Sequence, residues 1–245
     1  QHRRADCGAG PAADKLTAKG WEKTFVNRVL RIGFIAIATL LTALLLFEGY
    51  AVWRASARTP AIIAANRDRP IKLAQVGQRR LQMLLQVEDP GFYRHHGVDF
   101  STPGQGKTTM TQALVKRLYF EGGFKPGLAK IEQSLIARFV FDPAVPKRDQ
   151  LEIALNIASF GTIKGQPVIG FERAAQIFFG TPLTRLTDHQ FLMLVAMLKA
   201  PNALDPIRHP AENADRVARI EAMLAGKCKP SEVDDVDYSA CAGVK

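Results

Sequence analysis

The sequence predicts a mainly α-helical domain preceded by one N-terminal transmembrane helix. Three observations carry that expectation. No residue between Ile32 and Phe47 is charged, and beyond Glu48 the apolar run resumes to Trp53. From Ile71 to Leu224 apolar residues recur at helical spacing in the segments 71–88, 107–120, 126–141, 147–159, 170–179, 187–199 and 210–224. No stretch alternates polar and apolar residues for long enough between turns to suggest a sheet.

Taken in order, residues 1–28 are Ala/Gly-rich with scattered charge and no period, and read as a flexible cytoplasmic tail. Residues 29–53 form the anchor. At helical rise, the run from Ile32 to Trp53 spans roughly 33 Å, the thickness of a bilayer's hydrocarbon layer. Arg31 and Arg54 bracket it and can snorkel to the headgroups, while Tyr50 and Trp53 suit an interface. Glu48 lies near that end, where its cost is smaller than at the centre. A cleaved leader is the alternative, since Ala55-Ser56-Ala57 has the small-x-small form, but the leader would be unusually long. Basic residues are balanced across the run: Lys19, Lys23, Arg28 and Arg31 precede it, and Arg54, Arg58, Arg67 and Arg69 follow. The positive-inside rule therefore leaves the orientation open. Residues 54–69 read as a connector, 70–228 as the globular domain and 229–245 as a loosely ordered acidic tail. Pro126, Pro146, Pro182 and Pro210 stand at or near helix starts, where a missing N–H costs nothing.

Composition narrows the function classes. An apolar share of 47% excludes a disordered chain, and a net charge of +10 points to an anionic partner: nucleic acid, a membrane surface or a phosphorylated substrate. Cys7, Cys228 and Cys241 are too few for a disulfide framework and lack zinc-site spacing; whether Cys228 and Cys241 pair stays open.

Two segments carry chemistry. In Glu88-Asp89-Pro90-Gly91-Phe92-Tyr93-Arg94-His95-His96-Gly97, a carboxylate pair stands at a helix C-terminus, where the macrodipole opposes it. A Glu so placed beside Phe92 could have a raised pKa and serve as general acid or base, although a solvated turn would look the same. Adjacent His95 and His96 rarely ligate one metal ion together. In the second segment, Gly106-Lys107-Thr108 lacks both the earlier glycine and the buried strand of a nucleotide phosphate loop. On the helix that follows, Thr108, Gln112 and Lys116 share one face and Met110, Leu114 and Leu118 another. With free amides at the helix start, the polar face suits a phosphate; an ordinary solvated face is the alternative.

Together these segments resemble glycosyltransferase family 51, the peptidoglycan polymerases found in penicillin-binding proteins and as monofunctional transglycosylases. Glu88, Asp89, Phe92, His95 and Gly97 match its first signature. Gly106 to Ala113, continuing as Leu114-Val115-Lys116, is similar to its second. Leu155-Asn156, Phe160-Gly161, Gly170 to Ala175 and Leu198-Lys199-Ala200-Pro201-Asn202 follow in the family's order. The resemblance covers residues 70–225. It implies a lysozyme-like domain outside the cytoplasmic membrane that polymerises lipid II with inversion and releases polyprenyl pyrophosphate. Glu88 would be the base acting on the acceptor 4-hydroxyl. Asp89, Phe92, His95, Thr108, Gln112, Lys116, Lys130 and Gln133 would contact substrate. A divalent cation, Mg or Mn, would sit at the pyrophosphate, with no organic cofactor. The implied partners are lipid II, the growing glycan chain, the cytoplasmic membrane and other cell-wall synthesis proteins, but no nucleic acid. The short remainder implies a chain without a transpeptidase domain.

The chain departs from the family at its third motif, Arg-Lys-x-x-Glu. Here Ala129, Lys130 and Gln133 occupy those positions, with Glu132 one step earlier. On a helix Glu132 points about 100° away from Gln133. It reads either as a second acid in the cleft or as one member of a pair with a buried base. Gln133→Glu would restore the family's carboxylate and is expected to speed a slow enzyme. The link between Gly161 and Gly170 is longer than usual, and Ala154 replaces a common Tyr. These departures keep two other readings open: a relative that binds lipid-linked glycan or scaffolds wall synthesis with little turnover, and a lytic enzyme using Glu88 as general acid.

Overall fold

The computed structural model describes residues 12–244, with side chains from Val26 onward. Cys7 and the first part of the expected tail lie outside the described residues. The chain divides into two units, one ending at Ala51 and the other beginning at Val52.

Helix α1 runs from Ala12 to Ala65. Within it, Val26–Ala65 is, among the described residues, the one stretch long and apolar enough to cross a membrane, with a mean hydropathy of 2.4. Its apolar side chains face outward, Phe34 and Leu45 both 73% exposed. A contiguous apolar surface of that length calls for an apolar environment.

The second unit is mainly α. The helices are α2 (Leu73–Val76), α3 (Gln78–Glu88), α4 (Met110–Tyr119), α5 (Leu128–Ile136), α6 (Asp142–Ala144), α7 (Lys147–Ile157), α8 (Phe171–Phe179), α9 (Asp188–Met197) and α10 (Pro210–Leu224). A π-helical turn at Ala137–Phe141 joins α5 to α6. Each predicted helical segment is present. The first is split at Gly77, whose φ of 83° no helix can continue.

Two apolar clusters hold the unit together. One joins α3 to α7, α8, α9 and α10 through Leu84, Leu155, Phe171, Phe191 and Val217. Phe171 lies edge-on to Phe160, with ring centroids 4.9 Å apart, and stacks on Phe191 at 5.5 Å. Truncating so buried a ring costs about 3–5 kcal/mol. The other cluster joins α4, the π-helical turn and α7 to the last turns of α1 through Val115, Phe141, Ile153 and Ala55. Helix α7 serves both, with Leu151 and Leu155 on one side and Ile153 on the other.

The structure corrects four expectations. Residues 12–28 are helical rather than an irregular tail, and most of the expected connector 54–69 is the end of α1. That end is held by packing and by a 2.7 Å hydrogen bond between the Thr59 and Tyr119 hydroxyls. A small sheet exists: β1 (Ser159–Ile163) pairs antiparallel with β2 (Gln166–Ile169). It is too short and bulged to alternate visibly. Its signal is the two-residue turn Lys164-Gly165, both at positive φ (50° and 78°), as tight hairpins require. Finally, the acidic tail is ordered. Cys228 and Cys241 form a disulfide, and Asp234 and Asp237 pair with Lys107 and Lys199.

Candidate active site

Helix α3 ends at Glu88, and the next residue turns the chain: Asp89 is extended and donates its N–H to Leu85 O at 2.9 Å. The Asp89 carboxylate is fully buried. Both of its oxygens lie 3.0 Å from His95 Nε2, and Oδ2 accepts the Met110 N–H at 2.8 Å. His95 Nδ1 accepts from the Gly97 N–H at 3.1 Å, so the proton sits on Nε2 and is donated to Asp89. Asp89 thereby satisfies an orphan amide at the positive end of α4 and ties that end to α3. Gly97 lies against the π-helical turn. A Cβ there would come within 2.3 Å of Ala137 O, and its φ is 86°. Phe92 is buried beneath Lys147, whose Nζ stands 4.7 Å from the ring centroid. Asp89, Phe92 and His95, expected as substrate contacts, therefore lie behind the wall of the site. They position Glu88 and the start of α4.

In front of that wall is a cavity of about 540 Å³. Leu84 and Glu88 line it from α3, Thr108, Thr109, Met110 and Lys116 from the start and one face of α4, and Lys130 and Gln133 from α5. Glu88 is half-buried, with its open part lining the cavity. Loss of water raises its pKa to about 7; the Arg216 guanidinium opposes the rise and Asp89 adds to it. Lys130 Nζ donates to Thr108 Oγ1 at 2.8 Å. Burial, then repulsion from Lys116, lowers the Lys130 pKa. Lys116 Nζ stands 4.9 Å from the Phe124 ring centroid. An anion beside Lys130 would offset that burial and repulsion.

The expected polar face of α4 is only partly present. Gln112 is buried and closes a capping box: its Oε1 accepts the Thr109 N–H at 2.9 Å, and its own N–H donates to Thr109 Oγ1 at 3.1 Å. Its Nε2 donates to Ser134 Oγ at 2.9 Å. Three amides at the helix start, those of Thr109, Met110 and Gln112, are thus already bonded within the protein, which leaves fewer donors there than the sequence suggests. Gln133 is 1% exposed, and its Nε2 donates to Gln112 O at 2.6 Å. That bond fixes the amide orientation and leaves Oε1 buried with no hydrogen-bond partner. Glu132 does not line the cavity. It is 16% exposed and pairs with Arg54 at 3.7 Å, at the end of α1.

The cavity side chains by themselves do not fit a resident divalent cation. Besides hydroxyls, the ionisable and amide side chains lining the cavity are Glu88, with a pKa near neutrality, Gln133, and the cations Lys116, Arg117, Lys130 and Lys199. Magnesium and manganese select hard anionic oxygens. Among the described residues no group of three or more His, Cys, Asp or Glu gathers elsewhere. Positive charge at the cavity comes from Lys116, Arg117, Lys130 and Lys199.

Three contributors escaped the sequence reading. Lys199 lines the cavity and is held by Asp237. Arg216 opposes the rise in the Glu88 pKa, and Tyr238, whose own pKa is pushed up by burial and then by Glu88, bonds the residue before Glu88. Lys199 stood inside a recognised motif, whereas nothing in the local sequence marked the other two.

A model described as "Transglycosylase" matches residues 57–225. Penicillin-binding protein 1F of Bacillus subtilis is 28% identical over 177 residues, 67% of this chain and 24% of that protein. Penicillin-binding protein 1B of Buchnera aphidicola (strain Bp) is 30% identical over 149 residues, 56% of this chain and 20% of that protein. A provisionally named transglycosylase of Cupriavidus necator is 26% identical over 202 residues, 71% of this chain and 85% of that protein. The chain thus spans about a quarter or less of the two penicillin-binding proteins. The match takes in Glu88, the three cavity lysines and every helix from α2 to α10, so the chain belongs to the transglycosylase family, glycosyltransferase family 51.

Proposed function

We propose that this chain is a membrane-anchored peptidoglycan glycosyltransferase that polymerises lipid II, a disaccharide-peptide on a polyprenyl pyrophosphate. The observation that carries the reading is one carboxyl of pKa about 7 sharing a cavity with Lys116, Lys130 and Lys199. Ionised Glu88 takes the proton from the acceptor 4-hydroxyl. The oxygen attacks the donor's anomeric carbon from the face opposite the pyrophosphate, the bond to the leaving oxygen breaks, and configuration inverts. Lys116 and Lys130 stabilise the charge that develops on the pyrophosphate, and Thr108 holds the Lys130 ammonium in place. The apolar stretch of α1 keeps the domain beside a substrate confined to the bilayer, with residues 54–245 outside the cytoplasm.

Gln133 favours a second reading, a protein that binds lipid-linked glycan without turnover, because it replaces an expected carboxylate with a neutral group. Purified full-length protein incubated with lipid II, with and without a divalent cation, separates the two when glycan length is read on a gel. Polymer supports the enzyme; bound lipid II without polymer supports the binder.

A further inference from the structure

Beyond residue 225, where the family match ends, the chain turns back and grips the site from behind. Tyr238, 1% exposed, donates its hydroxyl to Val87 O at 2.7 Å, a carbonyl in the last turn of α3 and one residue before Glu88. Carbonyls in that turn have no partner within the helix. The Arg216 guanidinium stands 5.7 Å from the Tyr238 ring centroid, and its Nη1 donates to Val236 O at 2.8 Å. On the other side, the loop leading to Thr108 is tied to the same tail. Gly104 N–H donates to Glu232 O at 2.9 Å and Gly106 N–H to Val233 O at 2.6 Å. A Cβ on Gly104 would come within 2.7 Å of Pro230. Asp237 holds the cavity lysine Lys199, and Asp234 lies 3.7 Å from Lys107. The Cys228–Cys241 disulfide closes this segment into a loop just after α10. One covalently closed segment therefore touches the helix end that bears Glu88, the loop that delivers Thr108, and Lys199.

We propose that the loop 228–241 is a positioning device for the catalytic cavity, with Tyr238 as its positioning residue and the disulfide as a redox-sensitive latch. The inference rests on the proposed function. A dithiol reductant opens the latch by giving two electrons and two protons, leaving Cys228 and Cys241 as thiols and itself as a disulfide. Cys228 is half-buried and can be reached; Cys241 is buried.

The test uses the full chain in detergent, well below its melting temperature. Tyr238→Phe keeps the ring and removes the bond to Val87 O. It should lower kcat by about threefold to tenfold, what one hydrogen bond of ordinary strength is worth, with KM for lipid II unchanged. The double variant Cys228→Ser, Cys241→Ser should show the same split. Dithiol treatment should reproduce it in wild type and do nothing further to the double variant. Hydrogen exchange gives a readout independent of activity: opening the latch should speed exchange on the order of tenfold in peptides containing Gly104 and Gly106. Unchanged kcat in both variants, or faster exchange confined to 228–241, would overturn the proposal. A wild type that makes no polymer refutes the proposed function instead, and exchange then decides the tail's hold alone.

Discussion

Replacing Glu88 with Gln should make the protein more stable at alkaline pH while abolishing polymerisation. The carboxyl has an ordinary value of 4.5 and is raised by burial to about 7. Below pH 4.5 it is protonated both folded and unfolded and contributes nothing to pH dependence. Between 4.5 and 7 the unfolded chain ionises while the folded one holds its proton, so stability falls as pH rises. Above 7 the penalty is complete. The full shift corresponds to about 3 kcal/mol at 1.36 kcal/mol per unit, reduced by water that enters the cavity. Glu88→Gln should therefore stabilise by about 1–3 kcal/mol at pH 8 and by nothing measurable at pH 4. Urea denaturation of both proteins at pH 4, 6 and 8 measures this. Activity should move oppositely: wild-type kcat/KM rises with pH through about 7 as Glu88 ionises, and the variant loses about 10²- to 10⁴-fold. A stability difference that does not vary with pH would refute the raised pKa. Equal polymerisation by the variant would refute the base.

Lys130→Ala and Lys116→Ala should each cost about 2–4 kcal/mol of transition-state stabilisation, read as kcat/KM, while exposed Lys227→Ala should cost nothing. Gln133→Glu should slow the enzyme, contrary to the expectation from the family motif. A carboxylate there would face Gln112 O where an N–H now donates at 2.6 Å, and folding stability at pH 8 should fall by about 1–3 kcal/mol. Asp89→Asn should lower the urea midpoint by an amount equivalent to about 2–4 kcal/mol, since it removes the charge and sets an amide donor against the His95 Nε2–H where a second carboxylate oxygen now accepts. A reporter fused after Lys245 should be active only when exported; activity in the cytoplasm would end the topology proposed here.

The seven helical segments, the long apolar run and the place of Glu88 at a helix end were legible from residue order, because each rests on local periodicity or on a short motif. Helix boundaries also came close, since Pro210 and the cap at Thr109 act on their immediate neighbours. Which way a motif residue faces was not legible. Asp89, His95 and Gln112 look like ligand contacts in a list of polar residues, yet each spends its hydrogen bonds on protein groups behind the cavity. The face of α4 was read from its own period, but Ser134 on α5 and the cap at Thr109 draw Gln112 inward. Glu132 found its base at Arg54, far away in sequence, and the acidic tail found Val87, Gly104 and Lys199. Periodicity encodes what a residue shares with neighbours three or four positions away. Partners separated by tens of residues meet only when the two clusters pack, so the raised pKa of Glu88, the paired lysines and the grip of the closed tail belong to the tertiary structure.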